Sequence, residues 1–254
     1  MPALRTLSFV GVLSALALGP AAAEPPPTVA VAMYTGTGAY GDGPGMLEET
    51  FRGTPDLRIT KLTAADIRAG KLRGFRVLLV PGGTGGAQGK ALGADGRAAV
   101  RSFVDGGGAF VGICAGCYLA STGYDWSLDL LPVRVADRAN WRRGRGMLPI
   151  DFTADGKEWF GRPDTRVKVL YNNGPVLEPI PDAAEKPVVL AVYRGERVKP
   201  GAQPGVMPNT PAVVAARFGK GWAVGVSPHP EQTEGLKDLV PSAIRWALAH
   251  PTEE

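Results

Sequence analysis

Cys114 stands in the run Ala109-Phe-Val-Gly-Ile-Cys-Ala-Gly-Cys-Tyr-Leu-Ala-Ser121. The apolar stretch Ala109 to Ile113 reads as a buried strand and Ala115 to Ala120 as the opening of a helix, so the cysteine falls on the corner between them. Gly112 and Gly116 flank it, giving a G-x-nucleophile-x-G corner with cysteine in the place of serine. Such a corner holds the nucleophile in strained backbone geometry, and side chains at the two glycines would collide with the neighbouring strand and helix. The sulfur also meets a helix N-terminus, where the dipole and free N–H groups favour a thiolate. The alternative is a buried structural cysteine at a β-to-α turn.

A nucleophile of this kind needs a base. The chain has only two histidines, and His250 follows the last helix, so His229 is the candidate. It lies in Ser227-Pro-His-Pro-Glu231, where two prolines restrict the backbone around it. In an extended segment residues i and i+2 point the same way, so Glu231 can reach the imidazole and orient it. Cys114, His229 and Glu231 then form a nucleophile, base and orienter set. The competing reading of the segment is a surface turn.

An acyl-transfer site also needs N–H donors aimed at the developing oxyanion. Pro81-Gly-Gly83, at the end of the preceding apolar strand Phe75 to Val80, can supply one from Gly83, and Ala115 another. The competing reading is an ordinary glycine loop; no Gly-Lys-Ser/Thr follows, which argues against a nucleotide-phosphate loop.

The elements that must position these groups alternate. Strands are expected over 28–34, 57–62, 75–80 and 109–113, with helices over 46–51, 63–70 (Thr63 as N-cap) and 95–104. Apolar strands with βα connections imply a mainly parallel central sheet covered by helices on both faces, with its site at the carboxyl ends of the strands. Later strands are expected over 167–170, 187–194, 212–217 and 221–226, the last two joined as a hairpin across Phe218-Gly-Lys-Gly221. They add an antiparallel β portion, and a helix over 236–249 closes the chain. Between these halves Arg134, Arg138, Arg142, Arg143 and Arg145 cluster. They read as a solvated hairpin, or as a rim attracting a carboxylate-bearing substrate or an acidic partner.

Residues 1–23 read as a secretory signal peptide: Arg5, an apolar Leu7 to Leu18, and an Ala21-Ala-Ala23 cleavage site, too short for a membrane span of about 20 residues. Residues 24–254 are then one exported, periplasmic α/β domain. A net charge of +4 is too mild to point to nucleic acid or membrane. Cys114 and Cys117 are the only cysteines, and their C-x-x-C spacing also fits a thiol-redox pair or, for Cys117, a small core residue. No cofactor and no metal are called for.

Taken together, the GICAG elbow, the Pro81-Gly-Gly83 loop and the late His-Pro-Glu resemble the class I glutamine amidotransferase-like superfamily, whose members use a Cys-His-Glu triad in this order. Gly112 to Tyr118 and Tyr171-Asn-Asn-Gly-Pro175 are similar to motifs of the biotin-protein ligase N-terminal domain family. The resemblance implies a flavodoxin-like sandwich and a cysteine hydrolase acting on a small-molecule or peptide amide, such as a γ-glutamyl-type bond, through an acyl-enzyme. Glutaminases of the superfamily usually carry glutamine four residues after the cysteine; Tyr118 stands there, so the resemblance does not extend to glutamine as substrate. Tyr34, Tyr40, Tyr118 and Asn172 are expected to line the pocket. A non-catalytic binding module of the same fold is the other reading.

Overall fold

The computed structural model describes residues 28–250; the signal peptide expected over 1–23 lies outside them. Strands β1 (Val29–Tyr34), β2 (Leu57–Leu62), β3 (Val77–Val80) and β4 (Ala109–Ile113) alternate with helices α1 (Gly43–Arg52), α2 (Ala64–Arg68), α3 (Gly85–Asp105) and α4 (Ala115–Ala120). The chain then runs through β5 (Val133–Val135), β6 (Arg145–Phe152), α5 (Ala154–Phe160), β7 (Arg166–Asn172), β8 (Leu177–Pro179), β9 (Val188–Tyr193), β10 (Pro211–Phe218), β11 (Gly221–Val226) and α6 (Leu239–Ala249).

One sheet of nine strands has the order β2-β1-β3-β4-β11-β10-β9-β6-β7. The half from β2 to β11 is parallel and the half from β11 to β7 is antiparallel. The expected parallel sheet with an added antiparallel portion is therefore present, the two parts of equal extent and fused through β11. In the parallel strands side chains alternate between the two faces. Val31 and Met33 join one apolar core and Ala32 and Tyr34 the other; Val77 and Leu79 divide from Leu78 and Val80 in the same way. Burial on both faces is what makes these strands read as continuous apolar runs. No helix among the described residues is long and apolar enough to cross a membrane.

Three expectations are corrected. The helix expected over 95–104 already begins at Gly85; α3 absorbs the glycines before residue 95 by breaking at Gly93, whose φ of 66° and ψ of −178° are outside the helical region. The stretch expected as a solvated hairpin around 134–145 instead leads into β6, which pairs with both β7 and β9. Leu148, Ile150 and Phe152 bury one face of β6, a period of two that Arg145, Gly146 and Pro149 disguise. Finally, His250, set aside above as following the last helix and so expected to lie in a frayed tail, is anchored: its ring stacks on Trp246 at 4.0 Å, and its carbonyl accepts the Trp222 indole N–H at 2.7 Å.

Candidate active site

The elbow is built as its glycines require. Cys114 has φ 49° and ψ −96°, a conformation L-residues avoid and one that costs on the order of 1–3 kcal/mol. The corner is held by Cys114 N–H donating to the Val226 carbonyl at 2.8 Å and by Tyr118 N–H donating to the Cys114 carbonyl at 3.0 Å. A Cβ on Gly116 would lie 2.2 Å from the Val80 carbonyl oxygen, and one on Gly112 would lie 2.4 Å from the Gly116 backbone. Strand β3, strand β4 and helix α4 can approach this closely only if both positions are glycine.

His229 reaches the same spot from the far end of the chain. It follows β11, the parallel neighbour of β4, and its N–H donates to the Leu170 carbonyl at 2.7 Å, while its carbonyl accepts the Thr233 hydroxyl at 2.8 Å. A Cβ built on Gly82 would touch both the His229 ring at 3.0 Å and the Cys114 side chain at 3.8 Å, so imidazole and thiol flank one glycine. Behind the ring, Nδ1 and Glu231 Oε1 are 2.7 Å apart, and Glu231 is fully buried. The expected extended i, i+2 geometry is replaced by a short 3₁₀ turn over Pro230–Gln232, which folds the carboxylate back under the ring. Gln232, which belongs to no motif, donates its amide to the same Oε1 at 3.1 Å.

The remaining candidates fall around this centre. Gly83, at φ 142°, lies so close to the Gly38 carbonyl that a Cβ would sit 1.9 Å from its oxygen. Among the described residues, the amides of Gly83 and Ala115 donate no hydrogen bond. The Cys114 thiol donates to the Asn172 carbonyl at 3.5 Å, and the Tyr118 hydroxyl donates to the Asn173 carbonyl at 3.2 Å. Cys114, Gly83, Tyr118, Asn172 and His229 all line one cavity of about 720 Å³. Tyr40 lines it as well; Tyr34 does not, because it is buried with its hydroxyl donating to the Thr37 carbonyl. Trp126, Trp141 and Tyr124, which carry no sequence signal of their own, complete an aromatic wall.

Residues 68–141, which hold β3, α3 and the elbow, match the family model "Biotin-protein ligase, N terminal". Among solved structures, the chain is similar to a thua-like protein from Bacteroides uniformis (13% identity, TM-score 0.59, covering 92% of this chain and 97% of that one). It is also similar to a cytoplasmic protein from Salmonella typhimurium (11%, TM-score 0.56, 89% and 100%) and to a glutamine amidotransferase from Thermotoga maritima (16%, TM-score 0.52, 87% and 82%). The chain has the class I glutamine amidotransferase-like fold. No curated protein matches it in sequence.

Within this amidotransferase-like fold the electrostatics single out the imidazole. Burial works against the charged ring, but the Cys114 sulfur and then the Glu231 carboxylate outweigh it, raising the His229 pKa from 6.5 to about 10. Nε2 is buried without a hydrogen-bond partner, on the side away from Glu231. Both cysteines are free thiols. Cys117 is fully buried in the core on the other face of the sheet, and burial, with the nearby Cys114, pushes its thiol well above the usual range. Core packing is therefore the role its environment fits, as against exchange with Cys114. Among the described residues no cluster of metal-ligating side chains is present.

Because the folded-state pKa lies above the ordinary value, the stability lent by charged His229 is complete below about pH 6.5 and is lost as pH rises through about 10. Glu231→Gln removes one of the raising causes and is expected to move the His229 titration to lower pH. With only two histidines in the chain, the imidazole resonances in an NMR titration report this directly. An unmoved midpoint would show that the carboxylate does not support the charged ring.

Proposed function

We propose that the protein is a cysteine hydrolase of amide C–N bonds working through an acyl-enzyme. The Cys114 sulfur adds to the carbonyl carbon, and the negative oxygen is met by the amides of Gly83 and Ala115. As the C–N bond breaks, His229 gives its proton to the leaving amine. Water then attacks the thioester, His229 takes a proton from it, and the C–S bond breaks to release the acid and restore the thiol. Glu231 fixes the tautomer by accepting from Nδ1. The observation that carries this reading is the meeting, at one cavity, of a positive-φ cysteine with a carboxylate-backed histidine. Tyr118 and the aromatic wall favour a small amide other than glutamine. The apolar Leu7 to Leu18 and Ala21-Ala-Ala23 support export to the periplasm with cleavage after Ala23.

The test is labelling of the mature protein with a fluorescent iodoacetamide, followed by mapping of the labelled peptide. Label on Cys114 that slows in His229→Gln is the expected result; labelling indifferent to His229 would overturn the triad. A binding module of the same fold is the second reading, favoured by the thiol hydrogen bond, which goes to the Asn172 carbonyl and not to Nε2. Under that reading Cys114 labels no faster than a free thiol.

A further inference from the structure

Several exposed arginines are held by carboxylates. Arg134 pairs with Glu178, Arg166 and Arg194 share Asp151, and Arg245 pairs with Asp56. Arg138, Arg142 and Arg145 differ: all three are exposed, line the cavity that holds Cys114, and among the described residues pair with no carboxylate. Arg138 lies over the Tyr124 ring at 4.2 Å and Arg142 over Trp141 at 4.8 Å, so two of the guanidinium groups rest on the aromatic wall. Against them the lining offers one acid, Asp42.

This rim is built, not draped. Between Arg142 and Arg145 the chain is fastened twice. The fully buried Arg143 side chain donates to Asp137 at 2.8 Å and to the carbonyls of Arg197 at 3.0 Å and Gln203 at 3.1 Å. Asn173, held at φ 55°, clasps Gly144 by accepting its N–H at 2.8 Å on Oδ1 and by donating its own N–H to the Gly144 carbonyl at 3.0 Å. Arg145 is then set directly opposite Asn172 on the β6–β7 ladder, and the Asn172 carbonyl is the group that accepts the Cys114 thiol. Directly paired strand residues have Cβ atoms about 5 Å apart, so Arg145 enters the cavity beside the residue that accepts the thiol.

We propose that the cavity selects an anion: the amide substrate carries a carboxylate, which Arg142 and Arg145, with Arg138 beside them, hold against the aromatic wall next to Cys114. The inference rests on the cysteine-hydrolase reading and names its substrate class. A guanidinium fork matches a carboxylate with two parallel hydrogen bonds. A concave site of about 720 Å³ suits a small molecule better than a polyanion. The overall charge of +4 is too small to create this preference by itself, so the local arrangement must supply it.

The experiment compares two alkylating probes of nearly equal size, iodoacetate and iodoacetamide. Each forms an S–C bond to the Cys114 sulfur as the C–I bond breaks and iodide leaves; only one carries a carboxylate. The readout is the ratio of the two second-order rates at Cys114, by mass spectrometry, with N-acetylcysteine as reference. The expected ratio exceeds that of the reference and falls by about tenfold in Arg142→Gln/Arg145→Gln. It recovers only in part in Arg142→Lys/Arg145→Lys, which keeps the charge but not the fork, and is unmoved in Arg134→Gln, an exposed arginine away from the cavity. A ratio equal to the reference, or one the double glutamine variant leaves unchanged while Cys114 still alkylates faster than the reference, overturns the anion site alone. Cys114 reacting with both probes no faster than N-acetylcysteine overturns the hydrolase reading, and the substrate class falls with it.

Discussion

His229→Gln is expected to lower amide hydrolysis by about 10⁴-fold, with the Cys114→Ala/His229→Gln double variant no slower than either single change. The reason is chemical unity. Without the imidazole the sulfur has no group to hand its proton to and the leaving amine has none to draw from, so one missing partner disables both halves of the cycle. The substitution is suited to the purpose because a glutamine amide can still donate to Glu231 Oε1, which otherwise stays fully buried with its second oxygen unpartnered. The backbone bond to Leu170 does not involve the side chain and is kept. Release of p-nitroaniline from γ-glutamyl-p-nitroanilide measures the effect. Losses that multiply in the double variant would mean that sulfur and imidazole act separately, and the shared cavity would then need another explanation.

Asp137→Ala is expected to cost about 3 kcal/mol of folding stability, read as a lower urea midpoint. Arg143 is fully buried, and its guanidinium has three acceptors: one carboxylate and two carbonyls. Removing the carboxylate leaves a buried charge compensated only by dipoles, which is the costly way to break such a pair. Removing both ends, in Asp137→Ala/Arg143→Met, is expected to restore part of the loss, because the uncompensated charge is gone. Full recovery is not expected, since the Arg197 and Gln203 carbonyls lose their donor, at about 1 kcal/mol each. A double variant less stable than Asp137→Ala would mean that the arginine is valued for its packing and not for its charge.

What could be read from residues alone divides along the sheet. The parallel half was legible because apolar strands, glycine corners and a Thr63 cap each speak locally; Thr63 indeed accepts the Asp66 N–H in a capping box. The elbow was legible for the same reason, since crowding at Gly112 and Gly116 leaves its trace in the sequence. The antiparallel half was harder. Strand β6 mixes arginine, glycine and proline with its buried Leu148, Ile150 and Phe152, and residues that usually mark loops masked the alternation. Arg143 could not be told from its exposed neighbours, because its burial depends on acceptors at Asp137, Arg197 and Gln203 that only the tertiary fold collects. Tyr124, Trp126 and Trp141 share a wall by the same long-range accident.

Division of the sheet at β11 has a corollary. The strained cysteine grows from the parallel strands, where Gly112 and Gly116 leave no room for a side chain, whereas Arg138 and Arg142 lie in the segment leading into β6 and Arg145 is its first residue. Changes confined to that segment would therefore alter what the cavity recognises while leaving the cysteine corner in place.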